Sequence, residues 1–143
     1  MDEIDQQIIK QLAKDGRMSI KHLASIINLS PPAVSTRVDK LIAKGYISSF
    51  QAQLQLEKVG YPIKAFINLA MKPIRKPEFY AYIEAVDNVL ECCCVTGDYS
   101  MLIKVAFAST HELDLFIGQL QKFGDTMTQI VFSTAVEPRQ IGL

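Results

Sequence analysis

The sequence of residues 19–45 is SIKHLASIINLSPPAVSTRVDKLIAKG, and it contains two helical patterns joined by a short break. In the first, Ile20, Leu23, Ala24 and Ile27 have the spacing of one buried helix face, and Ser19 is a natural N-cap. The second has Ser30 as its cap, Pro31 at its first position and Gly45 at its end. Two helices joined by a turn of about three to four residues form a helix-turn-helix, whose second helix binds the DNA major groove.

The outward positions of the second helix carry small or short polar side chains and cations. A buried stripe of Val34, Val38, Leu41 and Ile42 leaves the other side of this helix free to contact DNA. Short polar groups can approach base edges, cations can hold phosphates, and we expect the N–H groups at the helix start to face a phosphate. The predicted DNA-binding residues are Arg17, Ser30, Pro32, Ser35, Thr36, Arg37, Asp39, Lys40 and Lys44.

Ordinary structural roles are alternatives for several of these side chains. Lys40 and Lys44 could serve only to solvate a helix face, and Arg37 could pair near Asp39 or pack its stem against the first helix of the chain. Ser30 is a helix cap first, although its hydroxyl could still touch a phosphate.

Composition and charge narrow the class of protein. The chain has 143 residues, 49% of them hydrophobic, and its formal net charge is zero. The charge is unevenly distributed, because residues 17–50 contain five cations and a single acid, Asp39. There is no apolar stretch of about 18 residues and no basic, apolar leader at the N-terminus, so we expect a cytoplasmic, nucleoid-associated protein. The adjacent Cys92, Cys93 and Cys94 are badly placed to pair with one another, and we predict neither a metal site nor a cofactor.

The second half of the chain has a different periodicity. Before it, residues 46–56 are predicted to form an extended connector strand, and Gly60-Tyr61-Pro62 is the best boundary. Strands are then predicted at 65–71, 89–95, 101–107 and 128–136, with one helix after the first strand and another after the third. The order βαββαβ is that of a ferredoxin-like fold, so the fold class is α+β. The predicted domains are residues 1–61, with the helix-turn-helix motif at about 20–39, and residues 62–143.

Motifs along nearly the whole chain resemble the Lrp/AsnC (feast/famine) family of transcriptional regulators. In the first half they are Asp5 with Ile8-Ile9, Asp15-Gly16-Arg17-Met18-Ser19, Leu23-Ala24, Leu29-Ser30, Val34, Arg37-Val38, Leu41, Gly45-Tyr46-Ile47 and Leu56 through Gly60. In the second half they are Phe79, Val89, Glu91-Cys92 and Val95-Thr96-Gly97-Asp98-Tyr99.

This resemblance implies a winged helix-turn-helix followed by a ferredoxin-like module called RAM. It also implies that RAM sheets pack together into a homodimer, that dimers assemble further, for example into octamers, and that double-stranded DNA is the partner. An amino acid or a related small molecule is the implied effector. The loop expected to bind it consists of Thr96, Gly97, Asp98, Tyr99 and Ser100, where Asp98 could take an ammonium group. Many relatives have an acidic residue in place of Ser100, and the alternative is that this segment is a plain hairpin loop at an assembly interface.

Two other functions are alternatives to a sequence-specific regulator. One is an architectural protein of the same fold that wraps DNA with low specificity. The other is an enzyme, since some sirohaem decarboxylases resemble this family. An enzyme would need clustered acid–base groups, whereas His111, Arg75 and Arg139 are scattered in the sequence, so we predict that the chain is not an enzyme.

Overall fold

A computed structural model describes residues 1–141, which form two compact units. The first contains Met1–Gln53 together with the described residues from Val136 onward, and the second contains Leu54–Ala135. Within the described residues, none of the helices has the length and apolar content needed to span a membrane.

The first unit is built from three helices. These are α1 (Glu3–Lys14), α2 (Ile20–Ile27) and α3 (Pro31–Ala43). Ser19 and Ser30 cap α2 and α3 as predicted, and Asn28 closes α2 in the left-handed conformation, with φ of 54°. The helices meet in one apolar core of Ile8, Leu12, Leu23, Ala24, Ile27, Val34, Val38 and Leu41. The predicted helix-turn-helix is thus confirmed.

The connector strand predicted at residues 46–56 is wrong. Among the described residues of this segment, 46–55 form turns and irregular backbone, and a short 3₁₀ helix follows at Leu56–Val59. Gln51, Gln53 and Gln55 are all exposed. A strand is stabilised by hydrogen bonds to a neighbour, and alternating polarity alone does not provide one.

The second unit is a four-stranded sheet with two helices. Its elements are β1 (Ile63–Met71), α4 (Lys76–Glu84), β2 (Val89–Cys94), β3 (Met101–Phe107), α5 (Thr110–Leu120) and β4 (Gly124–Ile130). The strand order is β2-β3-β1-β4, and each neighbouring pair is antiparallel. This is the split arrangement predicted from the order βαββαβ.

Both helices of this unit pack on the same face of the sheet. The core between them includes Ile67 and Leu69 of β1, Ile103 and Val105 of β3, and Phe79 of α4, all fully buried. Strand residues alternate between faces, so a second set points to the side without helices. We call this side the free face; its residues are Phe66, Asn68, Glu91, Cys93, Leu102, Lys104, Asp125, Met127 and Gln129.

The fourth strand begins earlier than predicted. Residues 128–136 were predicted to form this strand, but α5 ends at Leu120 and Gly124 is already the first residue of β4, paired with Met71. A Cβ on this residue would overlap the carbonyl group of Ala70. Gly124 therefore allows β4 to approach β1 closely.

The three adjacent cysteines lie at the end of β2, an edge strand. All three are free thiols; Cys92 is half-buried, whereas Cys93 and Cys94 are exposed. Burial raises the pKa of the Cys92 thiol above its usual value.

Candidate nucleic-acid interface and ligand loop

The exposed side of α3 carries most of the predicted DNA-binding residues. Pro32, Thr36, Asp39 and Lys40 are exposed, Ser35 is half-buried, and the exposed Lys44 is the C-cap. The Thr36 hydroxyl donates a hydrogen bond to the carbonyl oxygen of Pro32 at 3.0 Å, which leaves its oxygen lone pairs free to accept. We call α3 the reading helix.

The start of the reading helix differs from the expectation that its N–H groups face a phosphate. Pro31 and Pro32 carry no N–H, and the N–H of Ala33 donates to the Ser30 hydroxyl oxygen at 3.4 Å. The N–H of Val34 donates to the carbonyl oxygen of Ser30 at 3.1 Å. The first turn therefore has no unused N–H group to offer a phosphate.

Arg37 lies in an ion-pair cluster with the N-terminus of α1. Its Nη1 atom is 2.7 Å from Asp2 Oδ2 and 2.7 Å from Asp5 Oδ1. Of the two structural alternatives to a phosphate contact, a pair near Asp39 and packing against the first helix, the structure shows contact with the first helix. The acidic partners were not predicted, although the i, i+3 spacing of Asp2 and Asp5 at a helix start is the signal of a capping box.

Hydrogen bonds explain the pKa shifts within this cluster. The backbone N–H of Asp5 and the Arg37 guanidinium hold the pKa of Asp2 below its usual value. The carboxylates of Asp2 and Asp5 raise the pKa of Arg37 in turn. Both shifts favour the charged forms, so the cluster is an ion pair at neutral pH.

Arg17 is placed apart from the reading helix, in the connection between α1 and α2. Its side chain is exposed, and its backbone N–H donates to Asp15 Oδ1 at 2.9 Å. In contrast, Thr36, Lys40 and Lys44 line one surface cavity together with Asp5 and Arg37.

The loop between β2 and β3 contains the predicted effector residues. Thr96, Gly97 and Asp98 are exposed, and Gly97 has a φ of 108°, which favours glycine. Tyr99 and Ser100 are half-buried.

Ser100 is turned inward and is bonded to the end of β1. Its hydroxyl accepts from the N–H of Met71 at 3.2 Å and lies 3.1 Å from the carbonyl oxygen of Leu69, to which it can donate. Its backbone N–H also donates to the Leu69 carbonyl, at 3.0 Å. Ser100 thus anchors the loop, and Asp98 is left as the loop's exposed charged group.

A cavity beside this loop is lined by charged residues that were not predicted to belong to the effector site. Lys72, Arg75 and Asp125 share it with Gly97 and Asp98. Arg75 is already engaged, because it pairs with Glu78 at 3.1 Å and its guanidinium lies 4.8 Å from the centre of the Phe123 ring. No sequence pattern predicts this grouping, because the residues are far apart in the chain. Lys72 and Arg75 follow β1, Asp125 lies on β4, and Gly97 and Asp98 lie in the loop between β2 and β3.

Comparison with known proteins assigns both halves of the chain. A family model described as winged helix-turn-helix DNA-binding matches residues 1–48, and one described as Lrp/AsnC ligand binding domain matches residues 64–141.

Individual proteins match over nearly their full length. The chain is 35% identical to the HTH-type transcriptional regulator LrpA of Bacillus subtilis, over 92% of this chain and 97% of that one. The solved structure of Bacillus subtilis LrpC has a TM-score of 0.88 at 29% identity, covering 96% of this chain and 99% of LrpC. A Neisseria meningitidis regulator, NMB0573, solved as a complex with L-Met, shares the fold, with a TM-score of 0.88 at 22% identity over 96% of this chain and 93% of that one.

Proposed function

This chain belongs to the Lrp/AsnC family and is a DNA-binding transcriptional regulator, and we propose that it reads specific operator sequences with the reading helix. The observation that carries the proposal is the outer side of α3, where the exposed Thr36 and Lys40 follow one another at helical spacing. Thr36 is proposed to contact base edges, whereas Lys40, Lys44 and Arg17 are proposed to contact phosphates. Such a protein would be associated with the nucleoid.

Self-association is proposed to join several reading helices on one stretch of DNA. A single helix-turn-helix makes few contacts, and linking two of them raises affinity through effective concentration. The free face of the sheet supports this proposal, because Phe66 and Leu102 lie on it and neither helix of the second unit covers them. We propose that two copies pack through this face as a homodimer, and that dimers assemble further.

The residues proposed to read bases and to hold phosphates can be separated by their salt dependence. We expect Lys40→Ala to weaken binding to all duplexes alike. It should also reduce the slope of log affinity against log salt by about 0.9 for each copy of the protein in contact with DNA. Thr36→Ala should leave that slope unchanged and reduce discrimination between the operator and unrelated DNA by about 1 kcal/mol. The measurement is a fluorescence anisotropy titration at several salt concentrations, on an operator found by genome-wide footprinting.

Lys10, exposed on α1, provides the matched control for these substitutions. Lys10→Ala should bind DNA like the unsubstituted protein. If Thr36→Ala and Lys40→Ala also bind normally, the reading surface is wrongly assigned. Uniform coating of unrelated DNA in the footprint would instead support the architectural alternative.

A small molecule bearing an ammonium group is the proposed effector, with Asp98 as its partner on the loop formed by Thr96, Gly97, Asp98, Tyr99 and Ser100. The exposure of Asp98 and its place on the cavity with Lys72 support this proposal, since a zwitterion needs one charge of each sign. Ser100 would act by holding the loop and not by touching the ligand.

The effector proposal is tested by thermal denaturation of the full chain with each of the common amino acids. One of them should raise the unfolding temperature of the unsubstituted protein, and Asp98→Asn should abolish that shift without changing the unfolding temperature of the free protein. Asp114→Asn, a change at an exposed position of α5, is the control and should keep the shift. If no amino acid gives a shift at millimolar concentration, the effector assignment fails and the DNA assignment stands.

A further inference from the structure

We propose that Asp2 and Asp5 lower the sequence-independent part of the DNA affinity by holding Arg37 away from the phosphate backbone. The inference rests on the proposed reading of DNA by α3. Asp2 and Asp5, which lie outside the helix-turn-helix motif, would then influence DNA binding, and Arg37 would not contact the phosphates.

The geometry of the cluster uses every oxygen of the two carboxylates. Asp2 Oδ1 accepts the N–H of Asp5 at 2.8 Å, and Asp5 Oδ2 accepts the N–H of Asp2 at 3.2 Å. The remaining oxygens, Asp2 Oδ2 and Asp5 Oδ1, both accept from Arg37 Nη1 at 2.7 Å. The capping box of α1 therefore orients both carboxylates, and they meet the guanidinium without further rearrangement.

The position of Arg37 on α3 shows what these contacts prevent. Arg37, Lys40 and Lys44 are spaced i, i+3 and i+7, so they lie along one side of the helix, and they line the same cavity. Lys40 and Lys44 have no carboxylate partner among the salt bridges of the described residues. Arg37 would otherwise extend their row, and its planar guanidinium is well suited to bind a phosphate.

The cluster is also placed where a competing phosphate could reach it. The Arg37 side chain is 31% exposed and that of Asp2 is 53% exposed, whereas that of Asp5 is 19% exposed. A guanidinium that is paired with two carboxylates adds no net positive charge to the helix. Each helix-turn-helix unit then releases fewer counterions on binding DNA, and its affinity for unrelated sequences is lower.

The double variant Asp2→Asn/Asp5→Asn tests the inference in the full-length protein. Asparagine is as good an N-cap as aspartate, so α1 should keep its start while Arg37 loses both ionic partners. Binding to a non-specific 30-base-pair duplex should tighten about eightfold in 0.1 M salt for each copy of the protein bound. The slope of log affinity against log salt should steepen by about 0.9 for each copy. Circular dichroism and light scattering establish that fold and mass are unchanged.

Two comparisons separate this mechanism from a general effect of removing negative charge. Glu3→Gln neutralises the neighbouring acid of the same helix turn, which makes no contact with Arg37 among the described salt bridges, and it should leave the slope unchanged. In an Arg37→Ala background, adding Asp2→Asn/Asp5→Asn should no longer steepen the slope, because the cation that would be released is absent.

Arg37→Ala alone provides a second test that does not depend on the folding of the double variant. We expect its salt slope to equal that of the unsubstituted protein, since Arg37 is withheld from phosphates. A slope reduced by about 0.9 for each copy of the protein would mean that Arg37 contacts phosphate in the normal complex and would overturn the inference. So would a double variant that folds and keeps the original slope. If the unsubstituted protein binds no DNA at all, the proposed function itself fails.

Discussion

Replacing Leu102 with aspartate is expected to convert the proposed homodimer into monomers and to weaken its binding to operator DNA by about a hundredfold or more. Leu102 lies on β3, one of the two central strands, and its side chain is on the free face between Asn68 of β1 and Cys93 of β2. In a face-to-face dimer a carboxylate at this position would be buried without a partner, which is costly. In the monomer it would be solvated, so the second unit should remain folded.

The loss of DNA affinity follows from the loss of the second reading helix. The mass is measured by light scattering and the affinity by anisotropy on the same samples. Leu115→Asp provides the matched control, because Leu115 is 57% exposed on α5, on the helix-covered side of the sheet, and we expect it to remain dimeric. A Leu102→Asp protein that stays dimeric would show that the free face is not the interface. A monomer with full DNA affinity would show that joining the helices contributes nothing.

Gly124→Ala is expected to destabilise the second unit by about 3 kcal/mol, a large effect for a single added methyl group. The new Cβ would overlap the Ala70 carbonyl, and that atom belongs to the backbone of a central strand, which cannot rotate aside as a side chain can. Either β4 separates from β1 at Met71, or the strand pair shifts as a whole. Both outcomes weaken the sheet on which the core of this unit is built.

The measurement is urea denaturation of the full chain followed by circular dichroism. The two units can unfold in separate transitions, and only that of the second unit should move to lower urea. Gly118→Ala on α5 is the matched control, because a Cβ there meets nothing within 4 Å. It should be neutral or stabilising by up to about 1 kcal/mol, since alanine favours a helix. Equal stability of the two variants would mean that Gly124 has no special packing role.

The helices and the topology could be predicted from sequence because their signals are local. Caps at Ser19, Ser30 and Ser109 mark helix starts, and apolar spacing marks the buried faces. The errors occurred where structure depends on a neighbour distant in sequence. Residues 46–56 have the alternation of a strand but no described partner strand. In contrast, β4 is weakly apolar and pairs with β1, and Gly124 permits this pairing because it has no Cβ to overlap the Ala70 carbonyl.

The candidate DNA site shows the same limit. Exposure of Thr36 and Lys40 follows from helix periodicity and could be predicted, whereas the pairing of Arg37 with two acids more than 30 positions earlier depends on how α1 packs against α3. The start of α3 shows a different error, because Pro31 and Pro32 are evident from the sequence alone. Their lack of N–H groups should have excluded a phosphate site there.

The inward bonds of Ser100 have a consequence for how strongly the loop could respond to a ligand. A loop that must become ordered on binding loses conformational entropy, and that loss lowers the affinity. Here the hydroxyl and N–H of Ser100 already fix the end of the loop to Leu69 and Met71. A molecule that binds at Asp98 would meet a preorganised backbone. A displacement of the loop on binding would move β1, because Ser100 bonds the loop to that strand. We therefore expect fast association and a small displacement of β1, in place of the slow ordering of a disordered segment.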